Sequence, residues 1–168
     1  MLLLTSVFLF ITIDIRSCSH FDRDWEIIDK FERASNYHSY LKWFGHGSLD
    51  KLNDIPNQPY PLLFVRPMGS PGVQPYGQRT LTFEVYVLDL PTLDRTTDIV
   101  TMSNTERVLY DVYTFFRDGA DQQEYEISMT TITPIQEAFQ DRLFGWMGTF
   151  NIVTDSSGLT ICNIPTNI

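Results

Sequence analysis

The stretch from residue 60 to residue 119 limits the possible folds of this chain more than any other part of the sequence. It reads YPLLFVRP, a loop rich in proline and glycine, RTLTFEVYVLDL, and then a segment that runs from SNTER to RDG. Apolar and polar residues alternate along RTLTFEVYVLDL, which is the period of a half-buried β-strand. The order of strand, long loop, strand and helix predicts a small α+β unit that presents surfaces.

Length and composition indicate one domain with a sizeable core. The chain has 168 residues, of which 43% are hydrophobic and 14% aromatic. A chain of this length buries about 68–70% of its unfolded surface without disulfide bonds or metal ions. We expect an apolar N-terminal arm at residues 1–20 and a single α+β domain at residues 21–168.

Periodicity predicts two long helices and four strands in the order α-β-β-α-β-β. Residues 21–44 carry apolar side chains at gaps of three and four, which is typical of one face of a helix. The sequence SNTE at 103–106 has the pattern of a capping box and predicts the start of the second long helix. Strands are predicted at 62–66, around 81–87, at 125–133 and at 146–153, with a helical turn or short helix at 134–143 and a helical turn within 48–59. We expect a four-stranded, mainly antiparallel sheet with both long helices on one face.

Each long helix has one apolar stripe that should pack on this sheet. The predicted stripes are Phe21, Trp25, Ile28, Phe31, Ala34, Tyr37, Leu41 and Phe44 in the first helix and Val108, Leu109, Val112, Phe115 and Phe116 in the second.

The charge of the chain argues against a stable reader of DNA. The net charge is −9, and the 12 Lys and Arg residues are scattered. Binding to a nucleic-acid backbone needs clustered cations that release counterions. The excess of carboxylates keeps a protein soluble, and an acidic wall also suits a conduit through which DNA slides without sticking.

The first residues, MLLLTSVFLFITIDI, leave three interpretations open: an additional β segment, an export signal, or a start site assigned too far upstream. No Lys or Arg precedes the apolar run and no A-x-A site follows it, which argues against a signal peptide. The run is too short to span a bilayer comfortably, and Asp14 interrupts it. We favour a retained β-like arm.

Residue types that often carry chemistry occur here in patterns that do not favour an enzyme. The spacing of Gly72 and Gly77 mimics a phosphate-binding loop, but Gln78 stands where lysine is needed and a strand follows where a helix should begin. Cys18 and Cys162 have no CxxC spacing, so they indicate neither a zinc site nor a redox pair. The histidines are His20, His38 and His46, and they lack the spacing of metal ligands.

Four carboxylates could in principle form a cluster for acid–base chemistry or for a hard metal ion. They are Asp89, Asp94, Asp98 and Asp111. They lack the D-x-D-x-D-G spacing of a calcium loop, and carboxylates are ordinary at strand ends and helix starts. No G-x-S-x-G motif occurs either. We therefore expect no catalytic residue, no metal site and no cofactor.

The loop at 67–78 is the main candidate for an interaction site, because it is longer than a hairpin needs. Its composition offers an adaptable contact surface with little charge, and a surface loop without a partner is the alternative. The predicted interaction residues are Pro67, Met68, Gly69, Gly72, Val73, Gln74, Tyr76, Gly77 and Gln78. The N-terminal arm and the tail at 161–165 are further segments that could reach a neighbour.

Several segments resemble small structural proteins of tailed bacteriophages. They are FGHG at 44–47, YPLLFV at 60–65, TFEVYVLD at 82–89, residues 103–111, TPI at 133–135 with GW at 145–146, and CNIP at 162–165. The resemblance is to tail-completion or tail-terminator proteins and related neck components. It covers roughly residues 25–165 and leaves the first twenty residues unmatched.

This resemblance implies an α+β protomer that assembles as a ring, often six-fold, at the head-proximal end of the tail tube. Such a ring ends tube growth and joins the tail to the neck or head. The implied partners are copies of the chain itself in a hexamer or a dodecamer, tail-tube proteins, and neck, adaptor or portal proteins. Viral DNA would pass through the channel without sequence-specific binding. The expected location is the virion, after assembly in the host cytoplasm, with no membrane involved.

Two alternatives remain open at this point. One is another virion ring, such as a head–tail adaptor or a tail-tube subunit. The other is an exported cell-surface protein, for which the apolar N-terminus and Cys18 are the only indications.

Overall fold

One mixed five-stranded sheet organises the chain. The computed structural model describes residues 23–54, 58–69, 78–91, 98–119, 125–139 and 141–155. The helices are α1 (Arg23–Tyr37), α2 (Lys51–Asp54) and α3 (Asp98–Asp118), and the strands are β1 (Trp43–His46), β2 (Leu62–Pro67), β3 (Gln78–Asp89), β4 (Tyr125–Ala138) and β5 (Leu143–Asp155).

The strands lie in the order β1-β2-β3-β5-β4. β1 pairs with β2 in parallel, and all other neighbours pair antiparallel. The two edges of the sheet are therefore β1 and β4. Four interstrand gaps separate these edges, which at the usual spacing places them about 19 Å apart.

The predicted α+β class is confirmed, but the predicted four-stranded sheet is wrong because β1 adds a fifth, parallel strand. The first helix ends at Tyr37, not at residue 44, and Trp43 begins a strand whose first residue lies opposite Leu62. The apolar gaps of three and four continue by coincidence through Leu41 and Phe44, while aromatic residues favour strands. The backbone N–H of Lys42 donates to the Pro61 carbonyl at 2.8 Å and starts the pairing.

The second long helix begins at Asp98, five residues before the predicted capping box. The sequence SNTE therefore lies inside α3 and does not cap it. Thr101 and Thr105 are buried, and the Thr105 hydroxyl donates to the Thr101 carbonyl at 2.7 Å. Because a carbonyl of the helix itself accepts the hydrogen bond of this hydroxyl, threonine is tolerated on the buried face of α3. The buried face therefore begins before the first apolar residue of the predicted stripe.

The short helix predicted at 134–143 is also wrong, because β4 continues as a strand to Ala138. Proline is tolerated on an edge strand, where the missing N–H costs no ladder bond, and Pro134 lies opposite Trp146 on the one neighbour of β4. The predicted helical turn within 48–59 is confirmed by α2.

The larger of two cores lies between the sheet and the helices α1 and α3. Phe31 is fully buried at its centre, with its ring centroid 4.3 Å from that of Phe116 and 5.9 Å from that of Phe150. Full burial of such a side chain contributes about 1.5–3 kcal/mol. The principal members of this core are Ile27, Ile28, Phe31, Ala34, Leu63, Val65, Leu81, Phe83, Val85, Val87, Val108, Leu109, Val112, Phe116, Phe150 and Ile152.

The predicted helix stripes are confirmed at most positions and wrong at Trp25 and Tyr37; Phe21 lies outside the described residues, and Leu41 is buried although it follows the helix. Ile28, Phe31 and Ala34 are buried as expected, but Trp25 and Tyr37 are 65% and 80% exposed. In α3 the predicted stripe is buried except at Phe115, which is half-buried. The aromatic side chains at both ends of α1 therefore lie largely in solvent and not in the core.

A smaller core lies on the opposite face of the sheet. Its members are Leu52, Leu62, Phe64, Tyr86, Leu88 and Leu143. β2 is buried on both faces, which explains its continuous apolar sequence LLFV. Tyr86 donates its hydroxyl to Glu84 Oε2 at 2.7 Å, and Arg66 Nη1 donates to the same oxygen at 3.2 Å.

The unfolding free energy should fall between pH 10 and 12 because of Tyr86. Burial and the hydrogen bond to Glu84 raise the pKa of Tyr86 to about 12, from 10.0. In this window the native state holds a proton that the unfolded chain has lost, so the folded state loses up to about 1.4 kcal/mol of stability per pH unit from this group. Denaturant unfolding of Tyr86→Phe and of wild type at several pH values measures this difference. Equal slopes in the two proteins would contradict the assignment.

Gly145→Ala should destabilise the fold by about 1–3 kcal/mol or more, because a Cβ at this position overlaps the backbone carbonyl oxygen of Val87 on β3. Gly69→Ala is the matched control, since a Cβ there has no atom within 4 Å, and we expect a change within about 0.5 kcal/mol. Thermal unfolding of both variants measures the effect. A similar melting temperature for the two would contradict this packing.

Candidate interaction surfaces

The sheet fixes the base of the predicted interaction loop. Pro67 lies opposite Phe83, and the backbone N–H of Met68 donates to the Thr82 carbonyl at 2.8 Å. A pocket of about 80 Å³ opens beside Met68, between α1 and the start of β3. Of the predicted interaction residues, Pro67, Met68, Gly69 and Gln78 lie at this end of the β2–β3 hairpin, and Gly72, Val73, Gln74, Tyr76 and Gly77 lie outside the described residues.

Asp89 and Asp111, two of the candidate carboxylates, take part in one network of hydrogen bonds that sequence reasoning missed. Asp111 lies 3.3 Å from His38 Nε2, and the Tyr40 backbone N–H donates to His38 Nδ1 at 3.2 Å. The Tyr40 hydroxyl donates to Asp89 at 2.7 Å. Burial, together with this hydrogen bond, raises the pKa of Tyr40 well above its usual range. These hydrogen bonds connect the end of α1 to α3 and to β3, so these polar groups have a structural role.

Asp98 lies at the start of α3, and Asp94 lies outside the described residues. Across the described ranges, no group of three or more His, Cys, Asp or Glu side chains could hold a metal ion.

A first exposed surface lies at the β1 edge, and we call Trp25, Lys42, His46 and Lys51 the β1-edge patch. The indole of Trp25 stands edge-on to the His46 ring with centroids 5.7 Å apart, while 65% of Trp25 remains exposed. Lys42, immediately before β1, and Lys51, in α2, are both exposed. A cleft of about 300 Å³, which Glu32 also lines, lies beside His46 and Lys51. The patch is therefore aromatic and carries two ammonium groups.

A second exposed surface lies near the β4 edge, and we call it the β4 groove. Its volume is about 770 Å³, and its lining includes Asp98, Ile99, Met102, Pro134, Glu137 and Trp146. The Trp146 indole N–H donates to the Met102 carbonyl at 2.8 Å and ties the floor of the groove to α3. Ile99 and its neighbour Val100 are 78% and 56% exposed. The groove is therefore a mainly apolar depression that two carboxylates also line.

Sequence reasoning missed the β4 groove because it started the second long helix at residue 103. The buried positions of α3 follow the register of Thr101, Thr105 and Val108. Continuing that register towards Asp98 places Ile99 and Val100 off the buried face. An apolar pair outside the buried stripe is the signal that would have identified this surface.

Both sheet edges carry features that oppose the addition of another strand. β4 contains Pro134, Glu126 and Glu137, and its pairing with β5 is interrupted by two irregularities. β1 has only four residues. Short edge strands, prolines, charges and bulges are the usual means by which proteins prevent edge-to-edge pairing. Contacts between copies at these edges would therefore use side chains rather than a continuous sheet.

No protein-family model matches the chain, and a search of curated proteins finds no match either. Over the part of the chain that the structure covers, no helix is both long and apolar enough to cross a membrane.

Proposed function

We propose that this chain is a structural protein of a tailed-phage virion. In this role it forms a ring at the head-proximal end of the tail, ends growth of the tail tube and joins the tail to the neck or head. The segments that resemble tail-completion and tail-terminator proteins support the proposal, and the α+β fold with two long helices on one face agrees with it. The role is structural rather than catalytic and requires no cofactor.

The observation that carries the proposal is the position of two unlike exposed surfaces at opposite edges of one sheet. The β1-edge patch and the β4 groove lie near strands that are about 19 Å apart. A protein whose two different surfaces bind each other associates head to tail, and the assembly closes into a ring when the rotation per subunit fits. The protection of both edges against strand pairing opposes fibres that would form by the addition of strands.

The charge of the chain agrees with a ring around a DNA path. With a net charge of −9, the wall of such a ring would repel the phosphate backbone and leave the DNA free to slide. The base of the 67–78 loop lies at the other end of the sheet from the groove, because β2 ends and β3 begins there. We propose that this loop contacts the next layer of the particle.

Replacing residues 70–77 with a short Gly-Ser turn should leave the fold intact and abolish the joining of heads to tails. The β2–β3 pairing from Leu62 to Pro67 closes the hairpin without these residues, so the melting temperature should change by only a few degrees. Particle assembly is measured by complementing the phage that lacks this gene and counting joined particles by electron microscopy. Tyr37→Ser, at an exposed position of α1, is the control and should complement fully. An unchanged yield of joined particles with the shortened loop would contradict the proposed docking role.

A further inference from the structure

We infer that the β4 groove of one copy receives the β1-edge patch of the next copy. This inference rests on the proposed ring and names the surfaces that would form it. The first argument is that both surfaces expose large apolar side chains to solvent. Trp25 is 65% exposed at the end of α1, and Ile99 and Val100 are similarly exposed beside the groove.

Tryptophan is the residue type most enriched among the side chains that dominate interface energies, above all where it fills a pocket on the partner. The groove has the volume to accept an indole, at about 770 Å³, and its apolar lining includes Met102 and Trp146. Trp25 is held in place for such an insertion by its edge-on contact with His46. Pre-organisation of this kind lowers the entropy that binding loses.

The second argument is charge complementarity. Within the described residues, several exposed cations elsewhere lie close to carboxylates of their own chain, as in the pairs Arg33–Asp29 and Arg117–Asp118. Among the described residues, no ion pair involves Lys42 or Lys51 on the patch.

Likewise, among the described residues, no ion pair involves Asp98 or Glu137 at the groove. Arg142, in the turn between β4 and β5, is a further exposed cation, and it does not line the groove. Two ammonium groups on one surface and two carboxylates on the other therefore complement each other across a contact between copies.

The same charges favour a head-to-tail contact over a two-fold symmetric one. A symmetric contact through the β1-edge patch would bring Lys42 and Lys51 against their own copies, and one through the groove would do the same for Asp98 and Glu137. Juxtaposed like charges oppose association. The unlike pairing brings the cations of one surface to the carboxylates of the other, and each subunit then offers one free patch and one free groove until the ring closes.

Two substitutions test the inference, and both affect exposed side chains that folding does not need. Trp25→Ala removes the side chain that inserts, and Ile99→Asp places a charge in the groove. We expect each variant to associate with itself about tenfold more weakly or worse, measured by native mass spectrometry over a concentration series. Tyr37→Ala on α1 and Thr114→Asp on α3 are matched controls at exposed positions and should form the same assembly as wild type.

Mixing the two variants gives the sharper result. Trp25→Ala keeps a working groove and Ile99→Asp keeps a working patch, so the mixture should form one-to-one heterodimers and stop there. Melting temperatures close to that of wild type would verify that both variants fold.

A second measurement addresses the charges: Lys51→Glu should weaken assembly, and Glu137→Lys in the same chain should restore it in part.

The outcomes separate this inference from the proposed function. Rings that persist in both variants would overturn the named contact and leave the proposed ring standing. A two-fold dimer that forms from Trp25→Ala alone would also overturn it. A wild-type chain that stays monomeric at every soluble concentration overturns the contact. If that chain also fails to restore head joining in the phage that lacks the gene, the proposed function fails with it.

Discussion

The antiparallel pairing of β3 with β5 determines where every other part of the molecule lies. The register runs without interruption from Gln78 opposite Asp155 to Asp89 opposite Phe144. One face of this pair supports the core under α1 and α3, and the other face supports the smaller core around Leu88 and Leu143. Because β2 and β1 continue the sheet on one side and β4 on the other, the pairing also separates the two exposed surfaces.

Both edges of the sheet are protected against pairing with another strand, yet each has exposed apolar side chains beside it. This combination favours a defined assembly. Pro134 and the irregular pairing of β4 make its backbone a poor partner for another strand, while Ile99 and Val100 are exposed at the groove beside it. At the other edge, β1 is short, but Trp25 extends above it. Side-chain contacts of this kind fix the geometry between neighbouring subunits, and that geometry decides whether the assembly closes into a ring. The proposed ring depends on this geometry.

The central elements could be predicted from the sequence because their signals are local. The alternation along β3 and the spacing of Ile28, Phe31 and Ala34 both identify buried faces correctly. β1 was missed because Leu41 and Phe44 continue a helical spacing, and parallel pairing with β2 leaves no local signal. The β4 groove was missed for a related reason. It brings the start of α3 next to β4 and β5, which are more than thirty residues away in the sequence, so only the tertiary structure forms it.

The most direct test of this account is a cryo-electron microscopy reconstruction of the oligomer that the full-length chain forms. We expect a closed ring in which the β1 side of each subunit faces the β4 side of its neighbour. Trp25 should lie in the groove beside Ile99, and no backbone pairing should cross the interface. Six subunits would fit a tail terminator, and twelve a head-side adaptor. A two-fold dimer, or a sheet that runs continuously from one subunit to the next, would contradict the account.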